Sequence, residues 1–236
     1  MERSLAELAE DTMAYLLRSP TFEPLERDGY VYVAGPDVAW IQRVRRVDIE
    51  AVRDEAYARS ANRVEWWLGP SSPADAEDEL RSAGIESAQA PTLAGMTCTS
   101  EPPPAPGIEV RAAEPEELVA LEHAVWGGRR NPPLPPSPVE RHYAALLDGR
   151  PVGGARAVDM HGGVALMGGV VLPEARGRGV YRALVRARWD DAVARGTPCL
   201  VVQAGDMSAP ILARLGFESH CELRLYVDSD IESSTD

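Results

Sequence analysis

Cysteine is scarce in this chain, and Cys98, Cys199 and Cys221 are scattered without the spacing of a metal site. A disulfide framework and a zinc site are therefore excluded, and a reducing compartment is favoured. No apolar stretch approaches the length of a membrane span, and Met1 to Arg18 form an acidic amphipathic helix pattern without the apolar region of a signal peptide. The sequence predicts a cytoplasmic protein with neither a metal nor a membrane partner.

Basic residues are also in deficit. The 24 Lys and Arg residues against 37 Asp and Glu residues give a net charge of −13 at pH 7. Binding to nucleic acid needs a basic face, so this balance excludes nucleic acid as the main partner. A length of 236 residues with 44% hydrophobic residues is ample for one large or two small domains.

Proline is concentrated in two short segments, and the first of them, residues 101–107, reads Glu-Pro-Pro-Pro-Ala-Pro-Gly. Such a segment is stiff, extended and unable to join a sheet, so it predicts a linker between two halves. We therefore expect an N-terminal domain over residues 1–100 and a C-terminal domain over residues 108–228. Residues 229–236 are predicted to be a flexible acidic tail.

The C-terminal half alternates strand and helix patterns, with a strand over 108–111 and a helix over 114–126. Residues 127–138 are too rich in proline for regular structure and are interpreted as a substrate loop. Asp148-Gly149 is a strong hairpin signal, and it predicts paired strands on either side of the turn. The three strands expected here cover 142–147, 152–158 and 164–172.

The most informative stretch follows the last of these strands. Arg176-Gly177-Arg178-Gly179 separates a buried strand from an amphipathic helix pattern that closes at Gly196. Glycines allow backbone N–H groups to approach an anion at a helix N-terminus, and arginines add positive charge. A dinucleotide fingerprint would need a third glycine where Arg182 stands, and a P-loop would need Gly-Lys-Ser/Thr. The pattern therefore predicts a pyrophosphate site of another kind.

Read as Val-x-Pro-x-x-Arg-Gly-x-Gly-Val from Val171, this stretch resembles the acetyl-CoA-binding signature of the GNAT superfamily of N-acetyltransferases. A second segment, residues 208–217, resembles the late helix of that family and its Leu-Gly-Phe ending. The family usually has Gly or Ala where Tyr181 stands, so the helix entrance is bulkier here. The resemblance covers residues 107–227.

The N-terminal half is interpreted as a degenerate copy of the same plan. Residues 80–87 match residues 212–219 at a constant offset of 132, with Leu, Gly, Glu and Ser identical. Residues 45–50 occupy the position of the glycine loop, and their two carboxylates would repel pyrophosphate. The expected fold is α/β, with tandem GNAT-like lobes that are each a mixed, mostly antiparallel sheet flanked by helices.

The resemblance implies that acetyl-CoA is a cosubstrate whose acetyl group passes directly to a primary amine within a ternary complex. The acceptor is then a small-molecule or peptide amine. Ser208 is a weaker candidate for a cofactor contact, because an N-cap role explains a serine at that position equally well. The remaining residues implied to contact the cofactor are Gly169, Val170, Val171, Arg176, Gly177, Arg178, Gly179, Val180, Tyr181 and Arg182.

Catalytic groups are less well marked. The resemblance implies that a backbone N–H of the strand, that of Val171, stabilises the developing oxyanion. Leu212 stands where many family members have a tyrosine acid, and residues 165–170 lack the glutamate that some members carry. His123 and Glu122, on the helix before the proline-rich loop, are the candidates for a base, although a structural role explains either residue and water alone could relay the proton.

Two further interpretations stay open. One is a catalytically silent acyl-CoA-binding module that senses the cofactor or regulates a partner, and the other is an interaction protein without a ligand. The sequence leaves open the identity of the acceptor, the length of the acyl group and whether the chain forms a homodimer.

Overall fold

The computed structural model of the protein describes residues 3–127 and 137–229, and for 89–91 it describes the backbone alone. The predicted substrate loop, residues 127–138, lies mostly outside the described residues. The predicted acidic tail lies outside them as well, apart from Ser229. No helix in the described ranges is long and apolar enough to cross a membrane.

The chain divides into two compact units. Late segments that the prediction assigned to the C-terminal domain, 203–211 and 219–228, belong to unit 1. The proline-rich segment lies in unit 2, where Arg186 forms an ion pair with Glu101 at 2.6 Å and donates to the carbonyl of Pro102 at 3.2 Å. The described parts of the units are 3–96, 203–211 and 219–229 for unit 1, and 97–202 and 212–218 for unit 2.

Unit 1 is built on a sheet in the order β1-β2-β3-β4-β11-β5. The first three strands form an antiparallel meander, and β3 then pairs in parallel with β4 because helix α2 crosses between them. The bounds are α1 (Leu5–Glu10), β1 (Glu23–Arg27), β2 (Tyr30–Ala34), β3 (Val38–Gln42), α2 (Ile49–Ala58), β4 (Arg63–Leu68), α3 (Ala76–Ser82), β5 (Glu86–Cys98) and β11 (Glu218–Asp228).

The core of unit 1 lies between this sheet and helices α2 and α3. Trp66 on β4 is fully buried there with Ile41, Tyr32 and Leu80. Burial of such large apolar side chains is the main source of stability of a domain. Trp66 is therefore a core residue of unit 1.

The N-terminal segment is less helical than its pattern predicts. Helix α1 ends at Glu10, and a short 3-10 turn, Thr12–Tyr15, follows it. Asp11 interrupts the helix with φ −110° and ψ 35°, its carboxylate 3.3 Å from the guanidinium of Arg45. The prediction of one helix over Met1 to Arg18 is wrong, because a tertiary ion pair and a local turn replace its second half.

Unit 2 has the strand order β10-β9-β8-β7-β6. Strands β6 to β9 are antiparallel neighbours, and β9 pairs in parallel with β10 after helix α5. The chain passes between the units within β10 and within α6. The bounds are β6 (Glu109–Ala112), α4 (Pro115–Trp126), β7 (Glu140–Leu147), β8 (Arg150–Met160), β9 (Gly163–Val171), α5 (Val180–Ala194), β10 (Leu200–Ala204) and α6 (Ala209–Arg214).

Helices α4 and α5 cover opposite faces of this sheet. A Cβ on Gly153 would meet Val180 of α5, whereas a Cβ on the next residue, Gly154, would meet Leu118 and Leu121 of α4. Since neighbouring strand residues point to opposite faces, the two helices sandwich β8. The predicted hairpin at Asp148-Gly149 is confirmed by the pairing of β7 with β8.

The two segments that match at an offset of 132 adopt the same turn. Ile85 N–H donates to the carbonyl of Leu80 at 3.0 Å, and Phe217 N–H donates to the carbonyl of Leu212 at 3.1 Å. Both helices thus end in the same local hydrogen bond, with a buried Leu at each acceptor position. The local match is real, while the duplication of a whole lobe stays a prediction.

Candidate active site

The loop between β9 and α5, residues 172–179, is called the arginine loop below. It leaves the N-terminus of α5 without a capping side chain. Gly177 has φ 74° and Gly179 has φ 87°, a left-handed conformation that L side chains rarely adopt. Gly179 is the N-cap residue, and no side chain caps the helix. The first N–H groups of a 15-residue helix therefore face the loop without a side-chain acceptor, which is the arrangement that binds anions.

Three arginines surround this helix end. Arg176 and Arg178 are exposed and Arg182 is half-buried. Arg176 donates to the carbonyl of Val171 at 3.4 Å, and Nε of Arg182 is buried without a hydrogen-bond partner. Within residues 3–127 and 137–229, no carboxylate forms an ion pair with any of the three. Their positive charge is therefore available to an anionic ligand.

Strand β9 separates from β10 ahead of this loop. The parallel register covers Val164 and Ala165 and does not continue along β9. Leu172 N–H donates to Val152 of the preceding strand at 2.9 Å, so the alternation of an extended strand turns the N–H of Val171 towards the opposite edge. The predicted contact residues Gly169 to Val171 thus lie on the edge of β9 that no longer pairs with β10.

Tyr181 fills space that a smaller residue would leave open. Its ring lies against Gly169, where an added Cβ would come within 2.9 Å of ring carbon Cε2. Burial raises the pKa of the Tyr181 phenol, against the opposing effect of nearby Arg188. Arg188 is 1% exposed and donates to the carbonyls of Leu184 and Arg156 at 3.0 and 3.2 Å. The bulky helix entrance is therefore part of the packing of α5 on β9.

Glu122 lies on the other face of the sheet. Its Oε2 accepts from Nη2 of Arg156 at 2.7 Å, and its Oε1 is 3.1 Å from the position of a Cβ on Gly168. The two side chains are 16% and 18% exposed. Burial raises the pKa of the Glu122 carboxyl, although Arg156 opposes the shift. Gly168 directly precedes the predicted contact residues Gly169 to Val171, so Glu122 lies beside them. A half-buried carboxylate with a raised pKa at such a position is suited to accept a proton.

Sequence reasoning missed the residues around Glu122. Arg156 on β8 lies opposite His142 on β7, and His142 Nε2 is 3.1 Å from Oε1 of Glu140. The polar residues at the start of β7, Glu140, Arg141 and His142, were visible in the sequence, but the register that joins His142 to Arg156 was not. The structure brings Glu122, Arg156, His142 and Glu140 together as one polar cluster.

The remaining predicted residues have other surroundings. His123 is exposed on α4. Ser208 lies in unit 1, where its hydroxyl donates to the carbonyl of Gly205 at 3.1 Å. Trp126, which the predictions did not include, is 61% exposed at the end of α4, one turn after Glu122. Of the two base candidates, Glu122 is the one that the fold places against β9.

The family model for the acetyltransferase (GNAT) family matches residues 110–217. Residues 110–217 form a GNAT-family acetyltransferase domain. No curated protein matches the chain significantly. The matched range of the GNAT domain includes the polar cluster, the splayed strand β9 and the arginine loop, and it ends at Phe217.

Solved structures share the fold well beyond the GNAT domain. A GCN5-related N-acetyltransferase from Kribbella flavida is 17% identical with a TM-score of 0.69, over 95% of each chain. One from Sphaerobacter thermophilus is 17% identical with a TM-score of 0.55, over 85% of this chain and 80% of that one. A tandem GNAT protein of clavulanic acid biosynthesis is 11% identical with a TM-score of 0.53, over 96% and 89%. These likenesses confirm the mixed α/β fold with a mostly antiparallel sheet flanked by helices.

Proposed function

We propose that the protein transfers the acetyl group of acetyl-CoA to a primary amine, within a ternary complex on the GNAT domain. The observation that carries the proposal is the open N-terminus of α5 beside three arginines without carboxylate partners in the described chain. A pyrophosphate supplies the negative charge that this helix end and these side chains lack. The fit is local, since the chain as a whole has a net charge of −13.

The edge of β9 supports the placement of the thioester. Gly169, Val170 and Val171 form the strand segment that leads into the arginine loop, and β10 has already diverged from it. The N–H of Val171 points to that edge and is the donor we assign to the developing oxyanion. Ser208 remains a proposed contact of the cosubstrate.

Glu122 is the base we assign. A free amine is protonated near neutral pH, with a pKa of about 10.4 for a lysine-like group, and must lose a proton before its nitrogen can attack the thioester carbon. Glu122 accepts that proton and passes it to solvent. When the carbon–sulfur bond breaks, the leaving thiolate takes up a second proton from the nitrogen. The products are the amide and the free thiol of CoA, and one proton is released overall.

A Glu122→Gln variant tests this role. We expect it to lower kcat/KM for the amine by about 10²- to 10⁴-fold, the usual contribution of a general base, and to leave the affinity for acetyl-CoA unchanged. The acidic limb of the pH–rate profile should disappear with it. Glu117→Gln is the matched control, since Glu117 lies on the same helix and pairs with Arg111 instead.

Release of the CoA thiol is a clean readout in this protein. Burial raises the pKa of Cys199 and of Cys221 to about 11, and burial also raises that of Cys98, so all three protein thiols react slowly with thiol reagents. Binding of acetyl-CoA without thiol release over a panel of amines would contradict the enzyme and leave the acyl-CoA-binding module. An unchanged rate in Glu122→Gln would contradict the assignment of the base alone.

A further inference from the structure

Glu122, the carboxylate that we assign as the base, forms an ion pair with Arg156. Nη2 of Arg156 donates to Glu122 at 2.7 Å, and its Nε is buried without a partner in the described part of the chain. A guanidinium carries five N–H donors in a planar fork that matches a carboxylate. Arg156 therefore has donor capacity beyond its single contact with Glu122.

An amine that approaches Oε2 of Glu122 competes with Arg156 for this oxygen. If Glu122 turned to the amine, Arg156 would lose its carboxylate in a setting where its side chain is 18% exposed. The other carboxylate of the polar cluster, Glu140, is 4% exposed and lies against His142. Removing one partner of a largely buried ion pair is costly, because the remaining charge is left without compensation. An acceptor that brings its own carboxylate avoids this cost.

We propose that the acceptor carries a carboxylate beside its amine, as a free α-amino acid does, and that Arg156 binds this carboxylate while Glu122 faces the amine. This inference rests on the proposed acetyl transfer. Two ion pairs between protein and acceptor then replace one internal pair. The groups must be close together on the acceptor, since Glu122 and Arg156 are in contact.

Trp126 extends the same site. It follows Glu122 by four residues on α4, so the two side chains lie on the same side of the helix. Its side chain is 61% exposed, which leaves the largest aromatic ring of the natural amino acids open to a ligand. An apolar or aromatic side chain of the amino acid would pack there.

Displacement of Arg156 also affects the basicity of Glu122. Burial raises the pKa of its carboxyl, and the Arg156 charge is the largest opposing influence. When the acceptor carboxylate takes over Arg156, the opposition from this guanidinium weakens. Binding of the right acceptor is thus coupled to the readiness of the base.

The test compares matched acceptors that differ in the carboxylate. Phenylalanine, phenylalaninamide and phenethylamine form one series, and leucine, leucinamide and 3-methylbutylamine form a second. Thiol release is measured with saturating acetyl-CoA, and kcat/KM is expressed per neutral amine because the three amines differ in pKa. We expect an amino acid to exceed its amide and its decarboxylated amine by about tenfold or more, the worth of one charge-assisted contact.

Variants show whether Arg156 is the cause. Arg156→Met should remove the advantage of the amino acid, and Arg156→Lys should keep part of it because the charge remains. Arg111→Met is the control, since it removes another arginine–glutamate pair between α4 and a strand and should keep the ratio. If Arg156→Met fails to fold, the acceptor series on the wild-type protein still decides the question.

The outcomes separate the inference from the proposed function. Equal or faster transfer to the amides and decarboxylated amines would overturn the carboxylate acceptor and leave acetyl transfer intact. Transfer only to polyamines or to peptide N-termini would do the same. Absence of transfer to every amine, with acetyl-CoA still bound, would overturn acetyl transfer and the inference together.

Discussion

Each unit contains a strand, an arginine-bearing loop and a helix in the same order, yet the two loops differ in what their arginines contact. In unit 1 the loop joins β3 to α2, and in unit 2 it joins β9 to α5. Each helix then returns the chain to a parallel strand. The topology alone would give both loops the same capacity for an anion.

In unit 1 the arginines are already neutralised. Arg43 pairs with Glu26, Arg45 pairs with Asp11, and Arg46 pairs with Asp28 and Asp48. The Asp48 carboxylate also accepts from Ala51 N–H at 3.2 Å and so caps α2. A phosphate would find both the cations and the helix end occupied.

In unit 2 the corresponding groups have no carboxylate partners in the described chain, and a glycine takes the place of the capping aspartate. The comparison indicates that the number of arginines in a loop does not by itself identify an anion site. What marks it is an uncapped helix end whose cations have no internal counter-charge.

The largest expected effect comes from blocking the open helix end. Gly179→Trp puts a bulky side chain at the N-cap, where the backbone has φ 87°, and should abolish measurable binding of acetyl-CoA in a calorimetric titration. Gly196→Trp is the matched control, because Gly196 has φ 76° at the other end of the same helix. Equal loss of binding in both variants would point to misfolding of α5 and contradict a local site.

Removal of arginine charge should lower the affinity for acetyl-CoA in the loop of unit 2 and the stability of the fold in the loop of unit 1. Arg178→Gln with Arg182→Gln should weaken acetyl-CoA binding by about 10²- to 10⁴-fold, since two charge-assisted contacts are lost and each contributes roughly 1.5–3 kcal/mol. Arg45→Gln with Arg46→Gln should leave the affinity unchanged and lower the free energy of unfolding by about 1 kcal/mol. A loss of affinity from the second pair would break the distinction between the loops.

A smaller effect concerns Asp11, the partner of Arg45. Burial raises the pKa of this carboxyl from 3.8 to about 6 in the folded protein, and the nearby Arg45 charge only partly opposes the shift. The folded state thus holds the proton more tightly, so the contribution of Asp11 to stability is present below pH 4 and is lost as the pH rises to 6. Asp11→Asn should flatten this dependence and raise the free energy of unfolding at pH 7 by about 2 kcal/mol.

Urea unfolding between pH 4 and pH 8 measures the effect of Asp11→Asn. Asp28→Asn is the control, since its side chain is 90% exposed beside Arg46 and should change stability little. A stability that rises with pH over this interval in the wild type, and that Asp11→Asn leaves unchanged, would contradict the assignment.

Features set by neighbouring residues were predictable from the sequence. Asp148 and Gly149 both adopt positive φ, 51° and 72°, as the hairpin signal requires. The glycine loop likewise predicted the left-handed turn at the N-terminus of α5, because its backbone conformation depends on residues that stand next to each other. Local chemistry therefore predicted the order of strand, loop and helix along the chain.

Features set by register and tertiary contact were not predictable. Glu122 was one candidate beside His123 until the fold placed Arg156 and Gly168 against it. The interruption at Asp11 depends on Arg45, which lies 34 residues away. No local pattern encodes such a pair, so the sequence could not choose between Glu122 and His123 as the candidate base or predict where the first helix ends.

The most direct test of the anion site is hydrogen–deuterium exchange of the full chain with and without acetyl-CoA. The cosubstrate should slow exchange of backbone N–H groups in residues 169–171 and 177–183 and leave residues 43–51 unchanged. Protection of 43–51, or of neither loop under conditions where acetyl-CoA is bound, would contradict the conclusion that the unpaired arginine loop of unit 2 is the cofactor site.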